Sequence, residues 1–423
     1  MENISYTEQI KHSLKRRYYK EQLFKLMAML TTLFGIALLV MIIGGLIYQA
    51  RNAFQQTYIE LDINIPSSKD STLTSSSYQK ATKEALYLLF PDVQSRTDRL
   101  SLGKLISSGA QYEIIEMLAN RSDTQRSDAQ AQTMTLDILA DDELDGYIKS
   151  GDSPTERRTF RLSEQQVAWA EQLVADDRIK LKFNTNFFTK GDSRDPERAG
   201  ILGAIVGSFY ALLVAFLISF PLGIATAIYL EEFAPKNRYT DFIEININNL
   251  AAVPSIIFGL LGLVIFLNFF NLPRSTPLVG GLVLSLMTLP TIIIAARAAL
   301  KSVPPSIREG ALAVGASKMQ TTLHHVLPLA MPSILTGSII GMAQALGETA
   351  PLLIIGMMAF IVDVPSAITD PATALPVQIY LWADSPERAF VDRTAGAIVV
   401  LLLFLVAMNL FAVWARKVLE IKY

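Results

Sequence analysis

Residues 201–230 read ILGAIVGSFYALLVAFLISFPLGIATAIYL, thirty positions without a charged side chain. A helix of that length outruns a hydrocarbon core about 30 Å thick. Lipid offers no partner to backbone N–H and C=O groups, so the run must close its own hydrogen bonds as an α-helix. Five other runs meet the same length test: 26–48, 250–270, 278–300, 334–362 and 394–415. The expectation is an all-α polytopic membrane protein with six transmembrane helices. Composition agrees, since only 18% of residues are charged against about 25% in soluble proteins. A net charge of −2 gives no argument for a nucleic-acid partner. The absence of cysteine excludes disulfides, thiolate chemistry and sulfur-ligated metals. Three histidines are too few for a histidine-only metal site.

The first run is longer than a signal-peptide core. It ends in Tyr48-Gln49-Ala50-Arg51, not in a small-residue cleavage site, so 26–48 is expected to stay as an anchor behind a tail of residues 1–25. Lys11, Lys15, Arg16, Arg17, Lys20 and Lys25 precede it, and Arg416, Lys417 and Lys422 follow the last run. Both basic ends then face the cytoplasm of an inner membrane, with 417–423 as the second tail. The loop 301–331, carrying Lys301, Arg308 and Lys318, shares that side, while Arg274 faces outward.

Residues 49–198 are a different material, rich in Ser, Thr, Asp and Gln, and long enough for a small folded domain. They follow the first span and are expected outside, as a large α+β periplasmic insertion ahead of a core of residues 199–416. Tyr78–Phe90 and Ser163–Ala175 carry helical spacing, and Leu181–Phe188 alternates loosely like a strand. The stretch Ser122–Asp142 is polar enough to expect partial exposure.

Neither a Walker A loop nor an HExxH or GxSxG motif occurs, so neither nucleotide binding of that kind nor hydrolysis has motif support. The informative loop reads Arg308-Glu309-Gly310-Ala311-Leu312-Ala313-Val314-Gly315-Ala316-Ser317-Lys318, then Val326-Leu327-Pro328. Pro304 and Pro305 stand where a helix must start afresh. Glu309 is expected in its first turn, where a carboxylate suits the helix dipole. Gly315 either admits another backbone or ends the helix. A short helix lying across the membrane surface is the expected result. The adjacent His324 and His325 point apart on a helix and are expected as surface residues.

This loop resembles the "EAA" signature of ABC importer permeases. Glu309, Ala311, Gly315, Leu327 and Pro328 match it; Gly310 stands at the first Ala and His325 at the Ile. Gly347-Glu348-Thr349-Ala350-Pro351-Leu352, within the run 341–353, resembles the PstA family of phosphate-importer permeases, as does Asn249–Gly259 with Pro254 and Ser255. The resemblance spans about residues 199–416 and leaves out the outer insertion. It implies a type I ABC importer permease fold, and a permease for inorganic phosphate that works by alternating access and is not itself an enzyme. It also implies a second, PstC-like permease, a PstB-like ATPase dimer that uses ATP and Mg, and a periplasmic PstS-like phosphate-binding protein, with a sensor-kinase system as a further partner. Another oxyanion, molybdate or sulfate, and a scaffold signalling phosphate status are the alternative readings.

Glu348 falls inside the expected fifth span, where ionisable side chains are costly and usually functional. A carboxylate repels phosphate, so its expected role is to orient a cationic partner or to hold two permease subunits in register. Gln344 lies on the same helical face, and Pro351 is placed to kink the helix as a hinge. Family members often carry an arginine just before this run and another inside the fourth span. Here Gln344 takes the first place, and Arg297 stands near the cytoplasmic end of its span.

Overall fold

The computed structural model describes residues 6–65, 75–119, 132–151, 160–358 and 360–419. Helix α1, Tyr6–Ala53, runs unbroken for 48 residues, well beyond the expected 26–48. No proline interrupts it. One residue later the chain enters β1, Gln55–Ile65. Helices α2 (Ser75–Leu89), α3 (Arg96–Leu102) and α4 (Ala110–Ala119) follow. Strand β2 (Gln132–Leu139), α5 (Asp142–Lys149), α6 (Glu164–Ala175), β3 (Ile179–Phe183) and α7 (Thr185–Thr189) complete a sheet domain.

Strand β1 lies in the middle of an antiparallel sheet of order β2-β1-β3, with Ile59 opposite both Ile138 and Ile179. Strand alternation sorts its side chains. Ile59, Leu61 and Ile63 are buried against Leu86, Leu102, Ile114, Leu144 and Leu173 of the covering segments. On the opposite face Lys180 pairs with Glu60, Lys182 with Asp137 at 2.5 Å, and Arg178 with Asp62 at 3.1 Å. The expected strand over 181–188 stops at Phe183. Asn184 ends it, because its side-chain oxygen accepts from the Phe187 N–H at 3.1 Å and starts α7. Of the polar stretch 122–142, residues 122–131 lie outside the described residues. The rest is largely β2, with Ile138 and Leu139 fully buried.

The membrane part begins with α8, Leu202–Ile228, which ends in a π turn over Tyr229–Phe233. Helix α9, Arg238–Ala251, has no buried residue. A break at Ala252–Pro254 and a bend of 100° lead into α10, Ser255–Gly262, which continues as a π-helix to Phe269. The expected span 250–270 therefore starts only at Ser255, since Pro254 cannot donate within a helix and opens a new one. Helix α11 covers Pro277–Ser302 and α12 Pro305–Ala313. Helix α13 (Lys318–Thr321), a π turn (Thr322–Val326) and α14 (Leu327–Leu346) run on as one rod.

The expected span 334–362 is corrected at both ends, because the rod starts at Lys318 and stops at Leu346. Beyond Gly347 lies only the short α15, Ala350–Ile354. The sequence reading also missed α16, Leu375–Ala383, ahead of the last span α17, Ala389–Leu419. Five helices among the described residues are long and apolar enough to cross a membrane, six when the bent pair α9–α10 counts as one.

Helices α8, α10, α11 and α14 share a core of Ala211, Phe258, Val283, Met342 and Leu346, joined by Ile355 just past α15. By contrast, α1 is unburied along its spanning window, and among its described residues the buried ones are Ala50 and Ala53 near its end. There the buried Arg393 of α17 clamps the parts together. Its guanidinium donates to the Ala53 carbonyl at 3.3 Å, to Gln56 Oε1 at 2.5 Å and to the Glu197 carbonyl at 3.3 Å.

Candidate coupling surface and membrane breaks

Helix α12 is defined at both ends by backbone chemistry. Pro304 is its N-cap and Pro305 its first residue. At the other end Gly315 takes φ +92°. Its N–H bonds the Leu312 carbonyl at 3.0 Å, and the Ala316 N–H bonds the Ala311 carbonyl at 3.1 Å. That pair of bonds is the Schellman closure of a helix. A Cβ on Gly315 would meet nothing within 4 Å, so the glycine serves the turn and not a close approach. Ser317 then restarts the chain with a capping box to Gln320.

One face of α12 is anchored: Ala311 is buried, and Ile307 packs against the buried cluster that includes Ala227, Leu300, Val303 and Val326. The other face is open. Leu312 and Val314 are 50% and 85% exposed, with Met319 exposed nearby. Glu309 is exposed and sits past the first turn, not within it, because the helix starts at Pro305. Leu327 and Pro328 are half-buried where the rod turns from π to α geometry. His324 and His325 are exposed in that π turn.

Arg308 points inward. Its Nε and Nη2 donate to Glu232 Oε1 at 3.1 and 2.8 Å. The same guanidinium donates to the carbonyls of Val303 at 2.8 Å and Leu300 at 2.9 Å. Arg297 is held close by: Nη2 lies 2.6 Å from Glu244 and Nε 3.7 Å from Glu231, which also pairs with Lys301 at 3.5 Å. The guanidinium of Arg297 is therefore committed to carboxylates of α9 and the π turn and is not free for an anion. Glu231, Glu232 and Glu244 were missed by sequence reasoning. The visible signal was two adjacent acids closing an apolar run, answered by Arg297, Lys301 and Arg308.

The two other motif runs meet. A Cβ on Gly259 of α10 would lie 2.7 Å from Pro351 Cα, so α10 and α15 cross in direct backbone contact. Each follows a break, and neither Pro254 nor Thr349 caps its helix with a side chain. Ser255 is half-buried at the start of α10. Gly347 ends α14. Glu348 therefore lies in a break, not within a continuous span. It and Thr349 are half-buried, Gln344 is exposed and Pro351 buried. Among the described residues the Glu348 carboxylate forms no ion pair, and its backbone N–H bonds the Ala345 carbonyl at 3.2 Å.

The profile of the binding-protein-dependent transport system inner membrane component matches residues 219–423, and a domain of unknown function, DUF3333, matches 11–157. A probable ABC transporter permease protein, YqgI of Bacillus subtilis, is 33% identical over 54% of this chain and 81% of its own length. The chain belongs to the ABC transporter permease family. The phosphate transport system permease protein PstA 1 of Mycobacterium tuberculosis is 32% identical over 52% of this chain and 71% of its own. PstA of Haemophilus influenzae is 28% identical over 53% and 79%. A permease subunit of this family is not an enzyme. It sits in the inner membrane as a multi-pass protein and works with a separate ATPase and a substrate-binding protein.

A cleft of about 830 Å³ lies far from α12 along the chain, among Arg51, Asp142, Lys149, Glu197 and Arg393. It separates the sheet domain from the ends of α1 and α17. Burial raises the Glu197 carboxyl to about 7, helped by the charge of Asp142, although Ser107 Oγ–H donates to it at 2.5 Å. Burial likewise lowers the Lys149 ammonium, against the stabilising charge of Asp145 beside it.

Proposed function

We propose that this permease is one of two membrane subunits through which an ATP-driven importer moves inorganic phosphate inward. The observation that carries the reading is α12: a surface helix with an open apolar face, tied by Arg308 to the ends of two spans. An ATPase groove that took up Leu312 and Val314 would move those spans as rigid bodies. The names of the relatives, phosphate transport system permeases, support phosphate as the cargo.

In this reading both ends of the chain and α12 face the cytoplasm, and the sheet domain faces the periplasm. The partners are a second permease of PstC type, a PstB-type ATPase dimer that binds ATP and Mg, and a PstS-type phosphate-binding protein. ATP binding favours the outward-open state, and hydrolysis resets it. With Arg297 engaged, the positive charge for the anion comes from the sister subunit and from backbone amides at the broken helices. Glu348, without an ion-pair partner among the described residues, finds its partner across the subunit interface.

Uptake of labelled phosphate by cells lacking the gene is the test. Phosphate uptake falls, and the intact gene restores it. Unchanged phosphate uptake with lost molybdate or sulfate uptake sinks the assignment. Replacing Glu309 or Gly315 abolishes transport with the ATPase still bound; survival of transport in both variants overturns the coupling role of α12.

A further inference from the structure

Helix α12 runs on at its C-terminal end through residues 314–317 into the α13–α14 rod, and it has three attachments to α8 and α11. The first is the backbone through Val303 and Pro304, a turn in which Val303 takes φ −70°, ψ 127° and leaves the helix. The second is the apolar contact of Ile307 and Ala311, which is non-directional. The third is Arg308, which alone has fixed direction. A guanidinium is planar and offers its donors in a rigid fork. Here four of its five N–H donors are engaged: two bonds go to Glu232 and one each to the carbonyls of Val303 and Leu300. The Leu300 carbonyl belongs to the last turn of α11, where carbonyls lack intrahelical partners. One side chain of α12 therefore grips the end of α11 and the end of α8 together.

The residue it grips is placed by unusual backbone. Glu231 and Glu232 lie in the π turn that ends α8, and such turns carry one extra residue per turn. Neighbouring acids there serve different partners: Glu232 faces Arg308, while Glu231 faces Arg297 and Lys301 of α11. Arg297 extends the tie to Glu244 of α9. The side chains of Arg308 and Glu232 are 23% and 10% exposed, so water screens the pair little.

We propose that Arg308 and Glu232 are a latch that transmits the displacement of α12 to α8 and α11, and so sets how much phosphate moves per ATP hydrolysed. Both are positioning residues; neither touches the anion or the nucleotide. The proposal rests on the reading of this chain as an ATP-driven phosphate permease. It adds that the stroke enters the membrane through one ion pair and not through apolar packing alone.

The test uses the whole transporter in proteoliposomes, with phosphate uptake and ATP hydrolysis measured together. Glu232→Gln, Arg308→Gln and the double variant are compared with wild type, and assembly is read from co-purification of the ATPase. Each single variant lowers phosphate moved per ATP by about tenfold, within the range of ordinary coupling energies. The double variant falls no further, because both changes break one interaction. A ratio within about twofold of wild type in the single variants, or losses that multiply in the double, overturns the latch. Arg308→Lys keeps the charge but not the fork, and gives an intermediate ratio in a fully assembled complex. A wild-type ratio in Arg308→Lys also overturns the proposal, and that arm decides the matter if the glutamine variants fail to assemble. Absence of phosphate uptake by the wild-type complex instead refutes the cargo assignment, which separates the two failures.

Discussion

Two glycines of the α12 loop make opposite predictions. Gly310 lies in a helix interior with an α backbone, and an added Cβ would meet nothing within 4 Å. Gly310→Ala therefore raises stability, by about 0.5–1 kcal/mol, because alanine loses less backbone freedom on folding. Gly315 has equally open space but a φ of +92°. Gly315→Ala lowers stability by about 1 kcal/mol or more. Thermal unfolding of the detergent-solubilised protein distinguishes the two: one midpoint rises, the other falls. Gly259 differs from both, since its limit is space. Gly259→Ala forces α10 away from Pro351 and cuts phosphate uptake without changing the φ preference of the chain. Residue-level chemistry set by the local backbone, such as Pro304, Pro305 and Gly315, was legible in the sequence. The partners of Arg297 and Arg308 were not, because Glu231, Glu232 and Glu244 lie far off in the chain and only the fold brings them near.

At the scale of elements, hydropathy found every membrane run but not the breaks within them. The windows 250–270 and 334–362 are apolar throughout most of their length, yet Pro254 and the Gly347–Pro351 run interrupt them. Those residues stand out as motif members and as a hinge, but a break of a few residues hardly lowers the mean hydropathy of a span-length window. Helix α16 was missed because its nine residues are too short to register as a span.

The turn at 196–198 and the start of α5 carry a pH prediction. Folded Glu197 holds its proton up to about pH 7, whereas the unfolded side chain loses it above 4.5. Between those values the folded state binds more protons, so stability falls as pH rises through the window. Asp141 and Asp142 are raised mainly by burial and act in the same sense. Arg393, Asp142 and Asp195 also face this cluster. The melting temperature of the full chain is expected to be higher at pH 5 than at pH 7.5. Glu197→Gln, which can still accept from Ser107, flattens that slope. A slope unchanged in Glu197→Gln contradicts the assignment of the proton to Glu197.

For the whole molecule, the membrane class was readable from residues 201–230 alone, since lipid leaves an uncharged run of that length one backbone solution. The presence of an extra domain was readable from the change in composition. Its seating was not, because it depends on Arg393 at the start of the last span reaching Ala53, Gln56 and Glu197. That clamp makes the sheet domain continuous with α1 and α17 instead of a tethered appendage. Arg393→Ala leaves Gln56 Oε1 and the neighbouring carboxylates without their cation and is expected to cost about 3–5 kcal/mol. A thermal midpoint equal to wild type would show the clamp to be dispensable. The central claim concerns cargo and drive together, and one measurement reaches both: accumulation of radiolabelled phosphate in proteoliposomes holding the complete transporter. Phosphate accumulates only with ATP and the phosphate-binding protein present, and sulfate and molybdate do not. Accumulation without ATP, or of another oxyanion in place of phosphate, contradicts the account.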